Sequence, residues 1–146
     1  MTDASNSIFN YLPREIRIKV VEFVPFRPQT TEELQNAVDL WCEDREKAEM
    51  MYWHINTWDV RKVEDVSFLF ADKYEFNDDI SNWDVSNVKN MDCMFYGCTE
   101  FNQSIEKWKV SISTSIDYAF FKAKKIPKWY INIINFNNRI DYDCYR

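Results

Sequence analysis

Apolar positions recur through the middle of this chain at a spacing of 25 residues. Ile55, Trp58, Val60, Val63, Val66, Leu69, Phe70 and Phe76 are matched by Ile80, Trp83, Val85, Val88, Met91, Met94, Phe95 and Phe101. Ile105, Trp108, Val110, Ile116, Phe120 and Ile126 follow in the same register. A fixed period of this size signals stacked structural units, each with too few apolar groups to bury its own face alone. Stacking predicts one column of Trp58, Trp83 and Trp108 and another of Phe70, Phe95 and Phe120, and these six form the expected repeat core. Within a unit, Ile80-x-x-Trp83-x-Val85 has the alternation of a short strand. The three- and fourfold spacing of Val88, Met91, Met94 and Phe95 then predicts a short helix or 3₁₀ segment. Ser86 is suited to its N-cap, Gly97 to a left-handed C-cap, and Phe101-Asn102 to the turn toward the next unit.

Upstream of the repeats, Ile16, Val20, Phe23 and Val24 form one stripe after Pro13, a helix that Pro25 stops. Thr30-Thr31-Glu32-Glu33 carries a capping box, and Leu34, Ala37, Val38 and Trp41 mark the buried face of a second helix reaching about Met50. Glu43, Asp44, Arg45, Glu46 and Lys47 give it a solvated side. It leads straight into Ile55, as a cap on stacked units must. Beyond Trp129 the period is lost. Ile131, Ile133, Ile134 and Phe136 suggest extended structure, which Asn137-Asn138 turns back through Ile140, Tyr142 and Cys144. This segment is either a cap on the stack or an arm that pairs with a partner. The division is therefore residues 1–53 as a helical cap, 54–129 as repeats, and 130–146 as the C-terminal cap or arm.

At 146 residues the chain is expected to form a single domain. A net charge of −6 argues against nucleic acid as the main partner, since phosphate neutralisation needs a basic face. No run of about 18 apolar residues exists to span a bilayer. The first residues lack the basic start and apolar run of a classical secretory signal, so the four cysteines are expected to stay reduced in a cytosol-like compartment. Lys122, Lys124, Lys125 and Lys128 gather locally and are candidates for meeting an acidic protein surface.

The candidate chemistry is sparse. Cys93 and Cys98 are spaced too loosely for structural zinc, and the single histidine, His54, is distant in sequence. Asp59 and Asp84 recur one period apart and are expected to bond nearby backbone groups rather than to work as paired acids. With no Gly-rich phosphate loop and no nucleophile motif, neither an enzyme nor a cofactor is expected.

The pattern Ile-x-x-Trp-Asp-Val-Ser-Asn-Val-x-x-Met-x-x-Met-Phe at Ile80–Phe95, followed by Phe101-Asn102, resembles the BspA-type leucine-rich repeat. The resemblance covers roughly Ile55 to Trp129. It implies an α/β fold, a short right-handed leucine-rich-repeat-like solenoid of about three 25-residue units with an α-helical N-terminal cap. It also implies a binding or structural role without a catalytic site. Such repeats occur in surface proteins of bacteria and protists and are expanded in large DNA viruses, so a virion component is one expectation. Leu12-Pro13-Arg14-Glu15-Ile16 with Val20 and Phe23 resembles the opening of an F-box, over residues 8–26. That likeness makes Leu12, Pro13 and Ile16 candidates for docking a Skp-type adaptor. The expected partners are proteins, either assembly neighbours or such an adaptor, and the expected location is cytoplasm or virion. Departures from the repeat are specific: Arg61-Lys62 replaces Ser-Asn in the first unit, and Lys109, Ser113 and Ala119 replace Asp, Val and Met in the third. Function is expected where the pattern breaks down.

Overall fold

A computed structural model describes residues 24–137 of the chain. Its regular elements are helix α1 (Thr31–Glu43), helix α2 (Arg45–Tyr52), a 3₁₀ turn at Ile55–Thr57, and helix α3 (Lys128–Phe136). Between the 3₁₀ turn and α3 lie three units that begin at Ile55, Ile80 and Ile105. They are built from turns rather than from strands and helices.

The α/β leucine-rich-repeat solenoid is therefore corrected. No strand forms among the described residues; only the isolated parallel bridges Asp65–Asn90 and Asn90–Ser115 are present. The segment expected as a strand is itself a turn, because the amides of Trp58, Trp83 and Trp108 donate to the carbonyls of Ile55, Ile80 and Ile105 three residues back. The segment expected as a helix carries the contacts between units. Val66, Phe68, Phe70 and Asp72 donate their amides to the carbonyls of Asn90, Asp92, Met94 and Tyr96 at 2.7–2.9 Å. Met91, Cys93, Phe95 and Gly97 repeat this toward Ser115, Asp117, Ala119 and Phe121. The amides in between, such as Leu69, Ala71 and Lys73, close three-residue turns onto Val66, Phe68 and Phe70. Every second N–H thus goes to a neighbouring unit and the others stay local, which satisfies the backbone without either regular element.

Two positions per unit need left-handed backbone to sustain this alternation. Phe68, Cys93 and Tyr118 have φ of 57°, 55° and 54°, and Asp72, Gly97 and Lys122 have φ of 58°, 73° and 61°. Gly97 thus occupies the left-handed conformation expected of it, although no helix ends there. A Cβ at Gly97 would come within 2.7 Å of Asp72 Oδ1, so that side chain would have to shift, although Asp72 and Lys122 hold the same register position with a Cβ.

Inside the units the side chains stack in columns. Trp58, Phe70, Trp83, Phe95, Trp108 and Phe120 are all buried. Phe70, Phe95 and Phe120 stack at centroid separations of 5.3 and 5.1 Å, and Phe76 and Phe101 form a parallel column at 5.8 Å. Such spacing is close to that of neighbouring strands, as expected when backbone hydrogen bonds set the rise. The indole N–H of Trp83 donates to the Ile55 carbonyl, Trp108 to Ile80, and Trp129 to Ile105. These three indoles therefore satisfy their donors on the preceding unit.

Helix α1 starts at Thr30, whose Oγ1 accepts from the Glu33 amide, while the Glu33 carboxylate accepts from the Gln29 amide. The expected single helix to Met50 is split at Asp44, which ends α1 and caps α2 by accepting from the Lys47 amide. The expected extended C-terminal segment is also corrected. Lys128–Phe136 is helical because Tyr130, Ile133 and Ile134, at i, i+3 and i+4, bury together against Phe120 and its neighbours. The residues expected to complete a hairpin, beyond Asn137, lie outside the described residues.

Candidate functional site

The sequence-predicted residues fall into three groups. Leu12, Pro13 and Ile16 lie outside the described residues. The six repeat-core aromatics lie inside the stack. The four lysines do not assemble into one cationic site, because acids are interleaved with them. Lys124 Nζ pairs with Glu100 at 3.1 Å, the Lys122 ammonium sits 5.4 Å from the Phe121 ring centroid, and the Lys128 amide donates to the Glu106 carboxylate. Lys125 is half-buried.

The outer turns carry aromatic rings that the core does not use. Phe68 and Tyr118 occupy the same left-handed register position in the first and third units, and both are exposed, at 59% and 45%. Tyr96 and Phe121, three residues further along their units, stack at 5.0 Å, and Tyr118 meets Phe121 edge-on at 6.2 Å. These rings make a partly exposed aromatic strip that Cys93 interrupts in the second unit, and the ring contacts within it join Tyr96, Tyr118 and Phe121.

A second feature was missed by sequence reasoning as a site, although its signal was visible as the replacement of Ser-Asn by Arg61-Lys62. The chain entering α1 brings Arg27 and Gln29 to the same place. Together with Asp59 and Asn87 these residues line an open hollow of about 350 Å³. Asp59 lies at its centre. Arg61 bonds it through Nε at 2.8 Å and a terminal nitrogen at 2.7 Å, and Arg27 Nε lies 3.1 Å away. The Arg61 guanidinium, with its amide, holds the Asp59 carboxyl below the usual carboxylate range. Lys62 Nζ donates to Gln29 Oε1 at 2.7 Å, and the Asn87 side chain donates to the Arg61 carbonyl at 3.0 Å. In the second unit the same register holds Asp84 and Ser86, with the Ser86 amide and hydroxyl donating to Asp84 Oδ1. Both aspartates bond groups two residues on, in keeping with the turn reading.

A larger cleft of about 520 Å³ lies between the helices and the first unit, lined by Trp41, Cys42, Arg45, Lys73, Phe76 and Asp78 among others. Its two basic groups are each paired with an acid, and Glu43 and Glu75 also line it. Arg45 grips both oxygens of Asp78 at 2.6–2.7 Å, the Trp41 indole donates to Asp78 at 2.9 Å, and Lys73 pairs with Asp39 at 2.7 Å. Burial pushes the Cys42 thiol up to about 11, the opposite of the shift that activates a cysteine nucleophile. Cys98, buried and donating to the Phe70 carbonyl, is pushed up to about 12, again mainly by burial. Among the described residues no group of three or more His, Cys, Asp and Glu side chains is placed to hold a metal ion, and no helix is long and apolar enough to cross a membrane.

No curated protein and no solved structure matches the chain. The family model described as "Mycoplasma protein of unknown function, DUF285" matches residues 35–140, which takes in α1, α2, all three units and α3. With most of its length matched, the chain belongs to that family, which is related to BspA-like repeat surface proteins.

Proposed function

We propose that the chain is a non-catalytic protein–protein interaction module, a fixed component of a larger assembly such as a virion. On this reading it works in the cytoplasm or in the particle. The observation that carries it is the aromatic strip on the outer turns. Phe68 and Tyr118 are large, exposed and placed in register by a rigid hydrogen-bonded stack, and neither contributes to the core. Exposed aromatic patches rimmed by polar groups mark surfaces that meet another macromolecule, and aromatics are enriched in protein interfaces. The raised pKa of the Cys42 thiol and the pairing of Arg45 and Lys73 with acids support a role for the cleft without covalent chemistry.

The test is a photo-crosslinking residue introduced at Phe68 and, separately, at Tyr118 in the native source. Both positions are expected to trap the same protein in stoichiometric amounts within purified particles. Crosslinking to solvent alone at both positions would sink the reading.

A second reading rests on Leu12-Pro13-Arg14-Glu15-Ile16, the F-box-like opening, and makes the chain an adaptor that recruits a target to a ubiquitin ligase. Here Leu12→Asp with Ile16→Asp is expected to abolish capture of a Skp-type adaptor while leaving the fold intact. Failure of the intact chain to capture such an adaptor excludes it.

A further inference from the structure

We infer that the hollow formed by Arg27, Gln29, Arg61, Lys62 and Asn87 around Asp59 is a binding site for a phosphomonoester dianion. Nothing in the repeat pattern requires this cluster. The second unit keeps the same turn with Ser86 and Asn87, so Arg61 and Lys62 are not needed to build it. The six lining residues carry three positive charges and one negative, a formal sum of +2, on a chain whose overall charge is −6.

Asp59 gives the guanidiniums a fixed geometry. Its side chain is 16% exposed, whereas those of Arg27 and Arg61 are each 57% exposed. The carboxylate therefore anchors Arg27 through Nε and Arg61 through Nε and one terminal nitrogen, which leaves the other terminal N–H groups of both guanidiniums for an incoming oxyanion. Lys62 is fixed beside them by Gln29. Guanidinium donors match phosphate oxygens bidentately, and an ammonium adds a compact charge. Two acids at the margins keep their negative charge: Glu33, which accepts from the Gln29 amide, and Asp84, which accepts from Ser86 and lies within the field of Arg61. A hollow of about 350 Å³ is much larger than a phosphate group, which leaves room for the residue or small molecule that carries it.

The site is separate from the aromatic strip, so the two readings fail independently. The experiment titrates the full chain with inorganic phosphate, with a short phosphoserine peptide, with the unphosphorylated peptide, and with chloride at matched ionic strength, followed by NMR of the backbone and arginine Nε–H signals. Saturable shifts centred on Arg27, Arg61 and Lys62 are expected with phosphate or the phosphopeptide but not with chloride or the bare peptide. Arg61→Ser with Lys62→Asn, which installs the second unit's residues, is expected to weaken binding at least tenfold. Lys122→Ala with Lys125→Ala is expected to leave it unchanged. Binding by phosphate and phosphopeptide together supports the site with a protein-borne ligand; binding by phosphate alone supports it with a free one. Linear shifts shared with chloride, shifts centred on the Lys122–Lys128 segment, or undiminished affinity in the double variant would overturn the inference.

Discussion

The two ends of the stack are both closed by helices, but with different chemistry. Along the runs Val66–Asp72 and Met91–Gly97 the amides donate to carbonyls of the next unit, so on this face the first unit presents acceptors at its outer edge and the last presents donors. At the N-terminal end α1 answers in kind. Thr31 Oγ1 donates to the Asp65 carbonyl at 2.8 Å, and Gln35 Nε2 donates to the Leu69 carbonyl at 3.2 Å. Those carbonyls share their register with Asn90 and Met94, which accept from Val66 and Phe70 inside the stack. Two side chains one helical turn apart therefore replace the amides of a missing unit. α1 also buries Leu34, Ala37, Val38 and Trp41, whereas at the C-terminal end α3 relies mainly on apolar burial. Tyr130 packs edge-on against Phe120 at 5.0 Å, Ile133 and Ile134 are buried, and the Trp129 indole continues the tryptophan series onto Ile105. A register-matched polar seal demands one alignment of helix and stack. An apolar seal demands mainly shape, and the difference can be tested from the largest expected effect to the smallest.

Tyr130→Ala removes the central ring of the apolar seal and is expected to cost about 3–5 kcal/mol, the range for deleting a buried aromatic side chain. Guanidinium unfolding measures it; a loss below about 1 kcal/mol would show that α3 contributes little to closing the stack.

Asp78 locks the polar end together, since it joins Trp41 of α1 and Arg45 of α2 to the first unit. Burial raises its pKa, but the hydrogen bonds from Arg45 and Trp41 outweigh burial and hold the carboxyl below its ordinary value. A depressed folded pKa stabilises above the unfolded value near ~3.9, and the contribution is lost as pH falls through the folded pKa. Asp78→Asn is expected to cost about 1–2 kcal/mol at neutral pH, discounted because Arg45 is half exposed, and the gap from wild type should close in urea melts taken below pH 4. A gap that stays constant down to pH 2 contradicts the assignment.

Gly97→Ala probes the interior that both ends protect. Left-handed backbone costs about 1–2 kcal/mol for a residue with a Cβ, so a comparable drop in stability is expected on thermal unfolding. Asp72 must also move, given the 2.7 Å approach.

The finest test is a pair. Gln35→Ala deprives the Leu69 carbonyl of its donor in a part-buried setting and should cost about 1 kcal/mol. Asn137→Ala removes an exposed bond to the Ile112 carbonyl and should stay within about 0.5 kcal/mol. Hydrogen exchange should show faster opening of α1 in the first variant and no change in α3 in the second; equal effects would erase the distinction between the ends.

Much of the interior was legible in the sequence. The period, the two aromatic columns, the Thr30 cap and the left-handed Gly97 can all be recognised because each follows from the size or backbone freedom of a single residue type. The conformation of the repeat was not. Val88, Met91, Met94 and Phe95 have helical spacing, yet consecutive three-residue turns bury the same positions. Side-chain periodicity alone does not separate the two. The tail misled in the opposite direction, since the β-branched Ile131, Ile133 and Ile134 favour strands, and burial of Tyr130, Ile133 and Ile134 on one helical face overrode that preference. The basic hollow showed only as a local departure at Arg61-Lys62, because Arg27 and Gln29 join it from more than 30 positions upstream.

What the sequence determined by itself is the unit: its length, the large apolar residues it must bury, and its need of a neighbour. Only the tertiary structure decided how the backbone is satisfied. Amides at Val66, Phe68, Phe70 and Asp72 find acceptors solely because another unit lies alongside, and that acceptor supply makes a ladder of turns stable where an isolated segment would have to close its hydrogen bonds within itself.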